Sequence, residues 1–306
     1  MSAPVIQCLP SSAGDASRLA ARLGLAMHEI GVHRFPDGEL RVTVGPAAPV
    51  TIVYASLDRP NDKLLALLFA AEALRHGGAR RLVLVAPYLC YMRQDAAFHE
   101  GEAISQKVVG RLIAQAMDRV VTVDAHLHRT RDIASVFPGI EADDLPAMPA
   151  IADYMTRMHF DPATVIVGPD AESEPWVSDL AKRLRADYAV ARKTRHGDRS
   201  VELAFARPEI FAGRPALLVD DIVSSGGTIL ACAKALSAAG AATIDAIVTH
   251  ALFPPELTIA FTDAGFRSVR STHSVPHPTN AIELDAILAQ ALRKELSGVD
   301  VKGLQA

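Results

Sequence analysis

Residues 216–229 read Ala-Leu-Leu-Val-Asp-Asp-Ile-Val-Ser-Ser-Gly-Gly-Thr-Ile, and their order suggests chemistry. An apolar run ends in two acids, a Ser/Gly loop follows, and a helical pattern continues from Ile229 to Leu236. Backbone N–H groups of Ser225, Gly226, Gly227 and Thr228 can point at one phosphate, whose charge the helix dipole favours. The glycines let a backbone come close without a Cβ in the way. Asp220 and Asp221, one step upstream, suit sugar hydroxyls or water-bridged Mg²⁺. A phosphate socket beside a diol-binding acid pair describes a receptor for a ribose 5-phosphate. The Gly-Lys-Ser/Thr ending of a Walker A loop and the Gly-x-Gly-x-x-Gly of a dinucleotide site are both missing.

Four other clusters carry reactive residue types. Arg34-Phe35-Pro36-Asp37-Gly38-Glu39 is a turn bearing one aromatic and two acids. Tyr91-Met92-Arg93-Gln94-Asp95 follows a strand-type run, and its cation and amide suit a polyphosphate or nucleobase. In Val123-Asp124-Ala125-His126-Leu127-His128, His126 can ligate a divalent ion with Asp124 as its hydrogen-bonding partner. His126 and His128 together also admit a zinc hydrolase, although further ligands for one are not evident. Ala191-Arg192-Lys193-Thr194-Arg195 alternates two cations along an extended segment, so both can face one polyphosphate. Taken singly, each cluster also has a plain reading: a surface turn, a solvated loop, a structural histidine, a basic edge strand.

Strand-type runs at 5–9, 50–55, 82–86, 120–123, 164–167, 216–219 and 244–249 must position these residues. Helical patterns at 15–23, 61–75, 102–117, 172–186 and 228–239 lie between most of them. Such alternation predicts parallel sheets covered by helices, with ligands beyond the carboxyl ends of the strands. A weak repeat, Ala71 to Leu82 against Ala233 to Ile244, suggests two similar halves. The proline-rich stretch 144–149 marks the expected boundary, giving domains 1–146 and 147–306. Residues 193–202 read as a mobile loop or an extended hairpin.

The 306 residues are half hydrophobic, with a formal net charge of −4. That balance gives no electrostatic reason to expect nucleic acid or an anionic membrane as partner. The longest apolar stretch, 64–74, is too short to span a bilayer and contains Glu72. Cys8, Cys90 and Cys232 are few and far apart, which fits a reduced cytoplasmic protein.

The set Phe-Pro-Asp-Gly-Glu, Arg-Gln-Asp, Asp-x-His, Gly-Pro-Asp at 168–170, Lys-Thr-Arg and Asp-Asp-x-x-Ser-x-Gly-Gly-Thr occurs in this order along nearly the whole chain. In order and spacing it resembles the ribose-phosphate diphosphokinases, the synthases of phosphoribosyl diphosphate (PRPP). The resemblance implies two similar phosphoribosyltransferase-like α/β domains, each a mainly parallel sheet flanked by helices. It implies diphosphoryl transfer from ATP to the 1-hydroxyl of ribose 5-phosphate, with Mg²⁺ as cofactor. Phe35, Asp37 and Glu39 would then meet adenine from a neighbouring subunit, in a homodimer or larger homo-oligomer with a shared ATP site. Arg93, Gln94 and Asp95 would bind ATP, His126 and Asp170 would serve Mg²⁺, and Lys193 and Arg195 would be the catalytic cations on a flexible loop. Asp220 and Asp221 would hold the ribose, and Ser224, Ser225, Gly226, Gly227 and Thr228 the 5-phosphate. Ser224 replaces an acid common in the family, and residues 96–102 lack the basic character of the commoner bacterial version. Both features look like the archaeal-type branch. A PRPP-consuming transferase or a non-catalytic paralogue is the alternative.

Overall fold

The computed structural model describes residues 3–127, 129–130, 132–196 and 200–296, with backbone alone at 193–196 and 200–202. The chain forms two compact units.

The first unit contains β1 (Val5–Cys8), α1 (Ala13–Leu23), β2 (Ala26–Glu29), β3 (Gly31–Arg34), β4 (Leu40–Thr43), β5 (Val50–Tyr54), α2 (Pro60–His76), β6 (Arg81–Ala86), α3 (Ser105–Ala116), β7 (Arg119–Val123) and β8 (Glu141–Leu145). Six strands form an all-parallel sheet in the order β2-β1-β5-β6-β7-β8. Central strands are buried along their length, which is why they read as continuous apolar runs. Leu67, Ala70 and Leu74 of α2 and Ile113 of α3 pack with Val53, Leu82, Leu84 and Val120. Strands β3 and β4 form a separate antiparallel hairpin with mostly exposed residues.

The second unit contains α4 (Met148–Arg157), β9 (Val165–Gly168), α5 (Glu174–Leu184), β10 (Asp187–His196), β11 (Ser200–Phe205), β12 (Pro215–Val223), α6 (Gly227–Ala238), β13 (Thr243–Ala251), α7 (Leu257–Asp263), β14 (Phe266–Thr272) and β15 (Asn280–Ile282). Its sheet runs β11-β10-β9-β12-β13-β14-β15, parallel except for the antiparallel β10–β11 pair. Residues 193–196 and 200–202 therefore lie in two paired antiparallel strands, with Lys193 opposite Leu203 and Arg195 opposite Val201.

Two expectations need correction. The chain leaves the first unit at Leu145, but it returns there from Leu284 onward, so 147–306 is not one domain. Helix α8 (Asp285–Leu292) packs on α1, joined by the Arg22–Asp285 ion pair. Glu295, beyond it, clasps the amino ends of β6 and β7. Its Oε1 accepts from Nη1 of the buried Arg119 at 2.9 Å, and its Oε2 accepts from Nε of Arg81 at 2.7 Å. Burial alone would raise the Glu295 pKa, but these two guanidinium hydrogen bonds outweigh it and hold the carboxyl below its usual range. The second correction concerns Asp220 and Asp221. They lie inside β12 rather than beyond it, because Ile222 and Val223 continue the pairing against His250 and Ala251.

Candidate active site

In the second unit, β12 runs directly into the loop ahead of α6. Gly226 caps that helix at φ 75° and its carbonyl accepts from the N–H of Leu230 at 2.9 Å. A Cβ on Gly226 would lie 2.6 Å from Cδ2 of Leu257 and 2.9 Å from Cε1 of Phe261, so this glycine lets the loop pack on α7. Gly227 differs: its missing Cβ would meet only Ser225 Oγ, at 3.9 Å. Ser225, Gly227 and Thr228 are exposed. The first turn of α6 thus presents open backbone to solvent, an arrangement suited to an anion.

Beside it the acids crowd one another. The Asp220 carboxyl accepts from the N–H of Asp221 at 3.1 Å, and Asp221 accepts from the N–H of Ile222 at 2.7 Å. Burial first, then the charges of Asp221 and Asp170, hold the Asp220 pKa well above its ordinary value. Asp170, two residues beyond β9, caps a short 3₁₀ turn, accepting from the N–H groups of Glu172 (3.1 Å) and Ser173 (3.2 Å). Among the described residues no three His, Cys, Asp or Glu side chains are grouped closely enough to hold a metal by themselves. One or two carboxylates completed by substrate oxygens is the usual Mg²⁺ arrangement, and Asp170 with Asp220, whose charges bear on each other, fits it. His126 offers nitrogen, a poorer ligand for that ion.

In the first unit, Phe35, Asp37 and Glu39 sit at the exposed tip of the β3–β4 hairpin. The turn is closed by the Phe35 N–H to the Glu39 carbonyl (2.8 Å) and by the Glu39 N–H to Asp37 Oδ1 (3.1 Å). Phe35 meets His33 edge-on, and the Arg41 guanidinium lies 5.9 Å from its ring centre. The hairpin is tethered to the start of α2 by the Arg34–Asp62 ion pair. Tyr91, at φ 62°, hydrogen-bonds Asn61 in the same turn of α2 (2.6 Å).

The loop after β6 is laced to the loop after β7. Gln106 donates to the Met92 carbonyl (3.3 Å) and accepts from Thr130 (3.0 Å), while Ser105 donates to Oε1 of Gln94 (2.6 Å). Asp95 faces inward, its side chain only 3% exposed. Its two oxygens take the backbone N–H (3.1 Å) and Nη1 (2.9 Å) of Arg129, a cation the sequence reading passed over. Arg93 is exposed and His126 half-buried. Just before His126, Asp124 adopts φ 41°, and the Ala125 N–H donates to Asp144 at 2.9 Å. Burial, partly offset by that bond, pushes the Asp144 carboxyl up to about 6. His128 and the side chains of Lys193 and Arg195 lie outside the described residues.

Comparison with known proteins bears on these features. Residues 5–116 match the N-terminal domain of ribose phosphate pyrophosphokinase, and residues 144–263 match the phosphoribosyl transferase domain. A ribose-phosphate pyrophosphokinase of Methanopyrus kandleri is 30% identical over 92% of this chain and 95% of its own length. Ribose-phosphate pyrophosphokinase 2 of Archaeoglobus fulgidus is 32% identical over 94% of this chain and 98% of its own. The chain belongs to the ribose-phosphate pyrophosphokinase family. The archaeal relatives agree with the branch suggested by Ser224 and residues 96–102, although a pyrophosphokinase of Rhizobium meliloti is also 33% identical over 89% of the chain and 88% of its own length. A crystal structure of phosphoribosylpyrophosphate synthetase from Mycobacterium smegmatis shares the fold, with TM-score 0.83, 24% identity and coverage of 97% of this chain and 99% of that one. The family's two phosphoribosyltransferase-type domains correspond to the two parallel sheets. No helix among the described residues is long and apolar enough to cross a membrane.

Proposed function

We propose that the protein moves the diphosphoryl group of ATP to the 1-hydroxyl of ribose 5-phosphate. Membership of the family makes it an enzyme of PRPP formation. The observation carrying the finer reading is the passage from the Asp220–Asp221 pair through an αL-capped glycine into the open N-terminus of α6. That sequence of groups suits a sugar phosphate: carboxylates for the 2- and 3-hydroxyls, backbone N–H groups for the 5-phosphate. Arg93 and Gln94 would grip the triphosphate or its base, and Phe35, Asp37 and Glu39 would reach the adenine of a second copy. A homodimer or larger homo-oligomer follows from that sharing. The three cysteines are buried and unbridged, as suits a reducing cytoplasm.

In the reaction the O1–Pβ bond forms, the bond from Pβ to the oxygen bridging to the α-phosphate breaks, and AMP leaves. The hydroxyl proton is released, and no side chain is assigned to take it. Such a transfer depends on alignment and charge neutralisation. Asp220 and Asp221 orient the sugar, while Lys193 and Arg195 offset charge on the transferring and leaving oxygens. Asp170 and Asp220, with substrate oxygens, would hold Mg²⁺, which would supply charge neutralisation of the polyphosphate. Mixing the protein with ATP, Mg²⁺ and ribose 5-phosphate and following ³¹P NMR tests the reading. AMP and PRPP should appear together. AMP formed without the sugar phosphate would mark a nucleotidase and defeat it.

A further inference from the structure

Arg129 has no role in the reaction as drawn, yet the fold prepares it with care. Its guanidinium is held by Asp95, and its Cζ lies 5.3 Å from the centre of the Phe98 ring. Phe98 is itself held out by a tight turn: Glu102 accepts the N–H groups of Phe98 (2.8 Å) and His99 (3.2 Å), and Gly101 takes φ 86°. This turn spans the middle of the loop after β6. Arg119, by contrast, spends its guanidinium inside the fold, with a side chain 2% exposed. Arg129 keeps 60% of its side chain exposed over a carboxylate that is 3% exposed. The ion pair therefore stands with its positive end outward.

We propose that Arg129 is a phosphate-contacting residue of the nucleotide site, positioned by Asp95 and Phe98. The proposal rests on the reading above that Arg93 and Gln94 meet a nucleoside triphosphate. Asp95 directly follows those two residues, so the clamp ties Arg129 to the loop that carries them. Of the five guanidinium N–H donors, only one on Nη1 is used by Asp95, and Nε and Nη2 make no hydrogen bond among the described residues. Those edges match phosphate oxygens two at a time. A free arginine loses rotamer freedom on meeting a ligand, and a carboxylate behind plus a ring beneath remove much of that cost beforehand.

The test is titration calorimetry with Mg-ATP in the absence of sugar phosphate, beside ligand-observed NMR with adenosine. Arg129→Ala should weaken ATP binding about 10- to 100-fold, the range for a lost charge-assisted contact, and leave adenosine binding unchanged. Arg129→Lys should recover part of the loss, and Phe98→Leu should lose about threefold with the melting temperature unaltered. Equal ATP affinity in Arg129→Ala and the unaltered protein would overturn the inference. So would an equal loss for adenosine, which would indicate distorted loops. An unaltered protein that binds no nucleotide would sink the functional reading as well, an outcome distinct from failure of the inference alone.

Discussion

The carboxyl ends of the two sheets handle charge in opposite ways. In the first unit charges are matched: Asp95 is neutralised by Arg129, and Gln94 is fixed by Ser105. In the second unit the charges of Asp221 and Asp170 bear on Asp220, and all three acids accept backbone N–H groups. One end is a finished donor surface. The other stores repulsion that an arriving cation relieves, so its stability and its chemistry pull apart.

The largest effect should come from the second unit's own cations. Lys193→Ala should lower turnover by about two to four powers of ten, as for lost electrostatic stabilisers, with ribose 5-phosphate affinity largely kept; near-normal initial rates would contradict its assignment. Next comes a pair of changes with opposite signs. Asp220→Asn should cut turnover by about 100-fold and yet raise the melting temperature of the Mg²⁺-free protein, because it removes a crowded charge. Asp95→Asn should lower the melting temperature, by about 2 kcal/mol of stability, because it leaves Arg129 without its ion pair. Melting curves moving in the same direction would end the contrast.

Two glycines sharpen it further. Gly226→Ala should cost about 2 kcal/mol through positive φ and collision with Leu257 and Phe261. Gly227→Ala should leave stability alone and weaken ribose 5-phosphate binding, since its open side faces the proposed phosphate. Equal melting shifts for the two would refute that division. The last effect, at Asp144, depends on pH. Its folded pKa of about 6 lies above the ordinary 3.8, so its protonated form is favoured in the fold. The associated stability is full below about pH 4 and is lost as pH rises through 6. Asp144→Asn should therefore gain roughly 1–3 kcal/mol at pH 7.5 and nothing at pH 4, as read by urea unfolding at both values.

Strands buried on both faces were legible because burial leaves an unbroken apolar run, as in Leu82-Val83-Leu84-Val85-Ala86. Edge strands were not. Glu141-Ala142-Asp143-Asp144-Leu145 reads as a polar linker, yet it pairs along β7 because Arg119 and Arg81 neutralise its acids. The hairpin β3–β4 was seen only as its turn, since mostly exposed strands carry little pattern. At the candidate site the residue types were readable and their pairings were not. Arg129 looks like any surface cation until Asp95, 34 positions earlier, is brought beside it. Asp220 and Asp221 stood out in the sequence, but the strand running on past them was hidden by their charge.

The return of the chain from Leu284 has a temporal consequence. The sheet built before Leu145 is clasped by Glu295, so the ribosome releases a complete second unit while the first still lacks that side chain. A nascent chain halted before that point would carry Arg119 without its innermost carboxylate. Fragment 1–145 should then behave as an aggregation-prone intermediate, and 146–283 as the piece able to fold during synthesis.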